Sequence, residues 1–295
     1  MSNCNNCTTK YSDYFSDELY TWCTACGNYG IHAAVKRALV AENVAPKDTL
    51  LCFDVGCHGN GSDKIGGYAV HGLHGRIIAF ASGAAMANQN IEVIAFGGDG
   101  GTLSEGIGHL VHAVRSNYNM TFILHNNRNY GLTTGQASTT TPQDTPMHAS
   151  PDGVTATVIN PVDFVLSLEP TFVARSFSGY VPHMTEVIRA GMRHTGFSFI
   201  EILQDCPTYN KATPHEWYME RVYDVTKDSH YDRFSLADAR RVASISNDKI
   251  ATGVLFQNLN KKDFLSKQLN RKAYTTQLVD EVQKSSVDEF TQAFR

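Results

Sequence analysis

VIAFGGDGGTLSEGIGHLVHAVRSNYNMTFILHNNRNYGLTTGQ, residues 93–136, is the stretch that decides the fold. The apolar run Val93–Phe96 breaks at Gly97-Gly98-Asp99-Gly100-Gly101, and Leu103, Ile107, Leu110, Val111 and Val114 follow at helical spacing. A second apolar run, Met120–Leu124, ends in Asn126-Asn127-Arg128-Asn129. Strand, tight turn, helix, strand and polar loop make a βαβ unit. Its right-handed crossover puts the loops after both strands on one edge of the sheet. One loop offers a carboxylate between glycines and the other offers amides and carbonyls, which suits a hard cation together with a phosphate group.

The chain has 295 residues, 42% hydrophobic and 18% charged, enough for one large domain or two tightly joined ones. A net charge of -4 leaves no electrostatic footprint for nucleic acid. No apolar run is long enough for a membrane span. The first residues lack the basic start and apolar block of a signal peptide, so a cytoplasmic location is expected. Seven cysteines in a reducing compartment then speak for metal or redox chemistry rather than disulfides.

Outward from the central stretch, residues 1–20 read as a polar arm carrying Tyr14, Phe15, Leu19 and Tyr20, laid on a surface that could be a partner's. Trp22-Cys23-Thr24-Ala25-Cys26-Gly27-Asn28 leads into an amphipathic helix, Ile31–Leu39, whose entrance favours anionic thiolates. Thr49–Val55 reads as a buried strand ending at Gly56-Cys57-His58-Gly59-Asn60-Gly61, and His71–Arg76 leads into a small-residue helix, Ile77–Gln89. Ser138–Pro151 reads as a long loop able to cover a site. Phe172–Arg175, Val181–His194 and Phe197–Leu203 repeat strand, helix, strand, ending at Gln204-Asp205-Cys206-Pro207. Farther on, Trp217–Asp224, Ser235–Ile245 and Lys262–Phe264 read as peripheral, and Thr252–Gln257 as an edge strand or a tail. The alternation predicts an α/β fold with a mainly parallel sheet.

A glycine-flanked aspartate after a strand fits a self-satisfied turn as well as a ligand. The Asn-rich loop one unit later favours the ligand. Asp99 would give Mg²⁺ a charged oxygen, Asn127 a side-chain oxygen and Asn129 a backbone carbonyl, while Gly98, Gly100 and Gly101 let amides approach a diphosphate. Cys4-x2-Cys7-x15-Cys23-x2-Cys26 fits a zinc spacing, and spacing alone favours zinc. Cys52 lies mid-strand and reads as core. His109 and His112 read as packing or surface residues. Arg76 and Arg128 suit either an anion or an ordinary salt bridge.

Gly98-Asp99-Gly100, 25 residues, then Asn126-Asn127 resembles the thiamine-diphosphate-binding motif. With HLVHAVRSN, NNRNYGLTTGQ and TTTP, the run is similar to the beta subunit of 2-oxoacid:ferredoxin oxidoreductases over about residues 20–212. The resemblance implies a thiamine-diphosphate-binding domain at 21–212, between an arm at 1–20 and an extension at 213–295. It implies Mg²⁺ on Asp99, Asn127 and Asn129, and cofactor contacts from Val55, Gly56, Cys57, His58, His74, Gly100, Gly101, Gly131 and Leu132. Leu132 would hold the cofactor bent, and His58 and His74 are the catalytic candidates. Cys23, Cys26, Cys57 and Cys206 match a [4Fe-4S] pattern. The family often carries aspartate where Gly101 stands. In the loop after Cys57, the base for a substrate's second carboxylate is His58 or Lys64.

The implied reaction is coenzyme A-dependent oxidative decarboxylation of a 2-oxoacid, 2-oxoglutarate ahead of pyruvate, to acyl-CoA and CO₂, with electrons leaving through the cluster to ferredoxin. The activating glutamate and most of the coenzyme A site would lie on an alpha (or fused gamma-alpha) subunit, in an (αβ)₂ assembly. Two other readings stay open. One is a non-redox thiamine diphosphate decarboxylase or synthase subunit with structural zinc at Cys4, Cys7, Cys23 and Cys26. The other is a zinc-bearing binding module without catalysis.

Overall fold

The computed structural model describes residues 9–244, 248–271, 276–282 and 288–292. Its organising element is an eight-stranded sheet. In chain order the strands are β1 (Thr49–Phe53), β2 (Tyr68–His71), β3 (Glu92–Gly98), β4 (Met120–Asn126), β5 (Phe172–Phe177), β6 (Phe197–Leu203), β7 (Val222–Asp224) and β8 (Ile250–Gln257). In space the order is β2-β1-β3-β4-β6-β5-β8-β7. The pairs from β2 through to β5 are parallel, β8 runs antiparallel to β5, and β7 runs parallel to β8.

Residues of β4, β5 and β6 are buried along their whole length, as strands covered on both faces must be. The two-residue pleat sorts them between two cores. Cys52, Val93, Ala95, Phe122, Leu124 and Phe199 face one side with α2 (Ile77–Ala87), α3 (Ile107–Ser116), α4 (Pro161–Ser167) and α7 (Leu236–Ala243). Leu51, Phe53, Ile94, Phe96, Ile123, Ile200 and Ile202 face the other with α1 (Asn28–Ala41) and α5 (Val181–Met192). Cys52 is therefore core, as its mid-strand place suggested.

Several expectations are corrected. Thr252–Gln257 is neither edge nor tail, since β8 has β5 on one side and β7 on the other, and seven of its eight residues are buried. Its GVLF run carries no polar alternation because both faces are covered, and helices on both sides disguise it as an end segment. Tyr218 is likewise buried, stacked on Phe177 and packed with Leu203 and Ile250. The described part of the arm packs on its own domain: the Tyr14 side chain is fully buried and its hydroxyl donates to the Val44 carbonyl at 2.8 Å. Leu103, finally, belongs to a π turn, Gly101–Glu105, that precedes α3.

Candidate active site

The chain extends the sheet outward from β1 to β2, then crosses back to lay β3 on the other side of β1. Such a reversal opens a crevice beyond the strand C-termini. Loops leaving β1, β3 and β4 enclose a cavity of about 330 Å³ there. Its wall contains all of Val55, Gly56, Cys57, His58, His74, Asp99, Gly100, Gly101, Asn127, Asn129, Gly131 and Leu132. The Cβ that Gly101 lacks would lie 2.6 Å from Asp54 Oδ2, so a side chain here requires the Asp54 carboxylate to move.

Asp99 is 1% exposed. Burial pushes its carboxyl up to about 6, opposed by the Ser138 and Thr140 hydroxyls and by the Asn127 backbone amide. Both hydroxyls donate to Oδ2 at 2.5 Å. The same Thr140 hydroxyl lies 2.9 Å from Asn126 Oδ1. Asn126 donates to Glu201, and Glu201 pairs with the fully buried Arg175 at 2.6 Å. A continuous polar spine therefore runs from Asp99 through Thr140, Asn126 and Glu201 to Arg175, whose remaining nitrogens donate to the carbonyls of Ala243 and Ala251. Across from Asp99, the Asn127 side-chain oxygen accepts from the Asn129 amide at 3.1 Å, and the Asn129 side chain donates back to the Asn127 carbonyl at 2.8 Å.

His58 lies on the cavity wall between Gly56 and Gly98, and burial holds its imidazole well below the ordinary value, so it is neutral. Its ring packs 5.1 Å from His125, which burial lowers to about 4. Nδ1 of His125 faces two oxygens, Asn28 Oδ1 at 3.0 Å and Gln204 Oε1 at 3.2 Å, which assigns the proton to Nδ1. Among the described residues, Nε2 of His58 and Nε2 of His125 have no hydrogen-bond partner, and buried polar atoms of that kind are suited to meet a ligand or a water. His74 Nδ1 lies 3.5 Å from Glu105 Oε1 on the opposite wall. The His74-Gly75 turn is held by the buried Asp54, whose carboxylate accepts from the Gly75 amide at 2.8 Å.

A second cavity of about 170 Å³ adjoins the first, sharing Cys57, Asn127, Gly131 and Leu132 with it. Cys23, Cys26, Cys57 and Cys206 all line it. Two hydrogen bonds clip their loops together: Trp22 Nε1 donates to the Cys57 carbonyl at 2.6 Å, and the Gly27 amide to the Asp205 carbonyl at 3.4 Å. The thiols are free, and burial, with neighbouring cysteines adding to it, pushes Cys26 up to about 11 and Cys57 up to about 12. Gln204 Nε2 donates to Cys26 Sγ at 3.7 Å. Among the described residues no three His, Cys, Asp or Glu side chains are drawn into metal-holding geometry. Cys4 and Cys7 lie outside the described residues.

Sequence reasoning missed Asp54, His125, Gln204 and the Ser138–Thr140 hydroxyls. Asp54 had a signal, as a carboxylate ending an apolar strand just before the Gly56 loop. The serine and threonines were visible only as a loop, and pairing them with Asp99 takes a fold. Arg76 and Lys64 lie off the cavity wall: Arg76 donates to the Glu105 carbonyl at 2.9 Å, and Lys64 pairs with Asp63 at 2.8 Å.

The class that this crevice and its loops define, a thiamine-diphosphate-binding domain, is the one that comparison returns. Residues 54–202 match the family model for the thiamine pyrophosphate enzyme, C-terminal TPP binding domain. Residues 206–271 match the model for the C-terminal part of the pyruvate ferredoxin oxidoreductase beta subunit. The 2-oxoacid:ferredoxin oxidoreductase subunit beta of Saccharolobus solfataricus is 37% identical, over 80% of this chain and 81% of its own. The 2-oxoglutarate oxidoreductase subunit KorB of Mycobacterium tuberculosis is 38% identical, over 69% of this chain and 55% of its own. Among solved structures, the 2-oxoglutarate:ferredoxin oxidoreductase from Magnetococcus marinus, with 2-oxoglutarate, coenzyme A and succinyl-CoA bound, superposes with a TM-score of 0.86. It is 30% identical and the match covers 94% of this chain and 95% of that one. The chain belongs to the family of 2-oxoacid:ferredoxin oxidoreductase beta subunits, and it is an oxidoreductase that uses thiamine diphosphate. That family excludes the non-redox reading of the sequence. Among the described residues no helix is long and apolar enough to cross a membrane.

Proposed function

We propose that the chain is the catalytic beta subunit for coenzyme A-dependent oxidative decarboxylation of a 2-oxoacid in the cytoplasm, 2-oxoglutarate before pyruvate. In this reading it holds Mg²⁺–thiamine diphosphate and a [4Fe-4S] cluster and passes electrons to ferredoxin. One observation carries it: the four cysteine side chains ring a cavity that shares a wall with the thiamine diphosphate cavity. Two redox-active groups held there would be neighbours.

The chemistry of the donors suits both groups, although the described thiols and carboxylates are not drawn into metal-holding geometry. Asp99 is a buried carboxylate that hydroxyls and an amide prepare to stay ionised, and Asn127 and Asn129 present oxygens across from it, the hard donors that Mg²⁺ takes. Gly100 and Gly101 open the π turn, where backbone N–H groups collect for a diphosphate. Leu132, 45% exposed along the cavity wall, is placed to support a bent cofactor. Four thiols suit an iron–sulfur cube, and a metal would offset the desolvation that now keeps Cys26 and Cys57 protonated.

When bound, thiamine diphosphate supplies the nucleophilic carbon and the electron sink. The protein's work is positional. Neutral His58, with its bare Nε2, is fitted to exchange a hydrogen bond with a bound group at the cavity wall, and His74 beside Glu105 to move a proton at the rim. Among the described residues no lysine or arginine lines the cavity. Recognition of a substrate's distal carboxylate therefore falls to these histidines or to the alpha (or gamma-alpha) partner, which would also bring the activating glutamate and the coenzyme A site in an (αβ)₂ assembly. The names of the relatives support 2-oxoglutarate as the first choice.

Metal analysis tests the reading. About four iron and four sulfide per chain with brown colour support it; zinc without iron returns the cysteines to a structural role. Turnover of 2-oxoglutarate with coenzyme A and a viologen dye by the complex, and none by the isolated chain, completes the test.

A further inference from the structure

Arg128 stands between two of the Mg²⁺-ligand candidates yet points away from the cofactor cavity. It lines a separate cavity of about 300 Å³ with Pro142, Val158, Ile159, Pro161 and Trp217. We propose that this cavity is a binding site for a short-chain monocarboxylate, whose carboxylate docks on the Arg128 guanidinium and whose hydrocarbon body lies on the apolar walls.

The argument begins with a cation that has no counter-ion. Arg128 is 7% exposed, and guanidinium cannot discharge by losing a proton. Among the described residues it has neither a carboxylate partner nor a hydrogen-bond acceptor. Its compensation comes from two rings, Trp217 at 5.3 Å and Tyr218 at 5.7 Å from Cζ. Ring faces attract the charge but accept none of its five N–H bonds. The amides nearby are already committed: Asn126 to Glu201 and Thr140, and Asn160 to the Asp163 amide and the Ala243 carbonyl. The cavity is the side on which Arg128 lies open, so a ligand acceptor would enter there in place of water. A planar fork of donors selects a carboxylate, and the walls of proline, valine and isoleucine favour an apolar body over inorganic phosphate. The volume suits a small organic acid.

The site is coupled to the cofactor loop by covalent and hydrogen-bonded links, a consequence that rests on the Mg²⁺–thiamine diphosphate reading. Arg128 sits in the left-handed region with φ 58°, an uncommon conformation for a side chain of its size. Its carbonyl accepts from Thr141 at 2.7 Å, and the adjoining Thr140 bonds Asp99. A carboxylate that holds the guanidinium in place also holds Asn127 and Asn129 in position, so the two ligands bind with positive cooperativity.

The test is calorimetric titration of the full chain, free of cofactor, with hexanoate and separately with inorganic phosphate. Trp217 stacks on the guanidinium and serves as a fluorescence reporter. We expect saturable hexanoate binding and much weaker phosphate binding. Arg128→Met should weaken hexanoate by about thirtyfold or more. Val158→Phe, which fills the cavity and leaves the cation in place, should abolish the signal without changing the melting temperature. With Mg²⁺ and thiamine diphosphate present, hexanoate should bind about fivefold tighter. No saturable binding, binding unchanged in both variants, or phosphate bound as tightly as hexanoate overturns the site. Binding that passes these tests but ignores thiamine diphosphate overturns the coupling alone. Failure of thiamine diphosphate itself to bind would instead strike the functional reading.

Discussion

Asp99→Asn should make the cofactor-free chain more stable and destroy its response to cofactor. The carboxyl is 1% exposed and is raised from 3.8 to about 6, chiefly by burial. Two pH units correspond to about 3 kcal/mol of cost for holding the charge in the empty site. Asparagine keeps the shape, and the Ser138 and Thr140 hydroxyls can rotate to accept from its amide. With an unfolding entropy of about 0.6 kcal/mol/K for a chain of this length, the variant should melt about 5 °C higher at pH 7. Because the folded value lies above the unfolded one, the penalty is absent below about pH 4, grows through the window up to about 6, and is complete at neutrality. The gain should therefore fade on acidification. Differential scanning fluorimetry reads both halves of the prediction. Wild type at a hundredfold excess of Mg²⁺ and thiamine diphosphate over Kd should gain about 2.7 kcal/mol, or about 4 °C, and the variant nothing. A variant that melts lower than wild type at pH 7 refutes the account of burial. One that still shifts with cofactor refutes the assignment of the site.

Arg175→Met leaves Glu201 as an unpaired buried charge and should cost about 4 kcal/mol, lowering the melting temperature by about 6 °C, while Arg175→Met with Glu201→Leu should recover most of it. Cys57→Ser should remove iron, sulfide and visible absorbance from the purified chain, whereas Cys52→Ala, a change in the core, should leave metal content intact and cost about 1 kcal/mol in denaturant melts. Gly101→Asp places a Cβ 2.6 Å from Asp54 Oδ2 and a second carboxylate beside it; calorimetry should show thiamine diphosphate bound at least tenfold more weakly, and unchanged or tighter binding would sink the steric argument.

Periodicity made most of the sheet legible, because β1, β3, β4 and β6 are apolar runs bounded by glycine or asparagine and joined by helices of the right length. The four cysteines and the Asp99–Asn127 pair were legible as motifs, and the fold brings each set to one cavity wall. What the chain hides are partners far apart in sequence. Nothing near Asp99 announces Thr140, and nothing near His125 announces Asn28 and Gln204: the first pairing joins the loops after β3 and β4, and the others join β4 to the start of α1 and to the end of β6. β8 was misplaced for the same reason, since a buried strand at the end of a chain carries no mark of which neighbour it will join.

The position of β8 also sets the order in which the molecule can be completed. Phe172 pairs with Gln257, so the inner edge at β5 stays open until the final strand has been synthesised. Until then the carbonyls of Ala243 and Ala251 have not reached Arg175, and the polar spine that ends under Asp99 lacks its far anchor. At about 5–20 residues per second, the nascent domain spends seconds with its loops formed and their support missing. The Asp99 side of the cavity therefore gains its full support only once β8 has paired with β5.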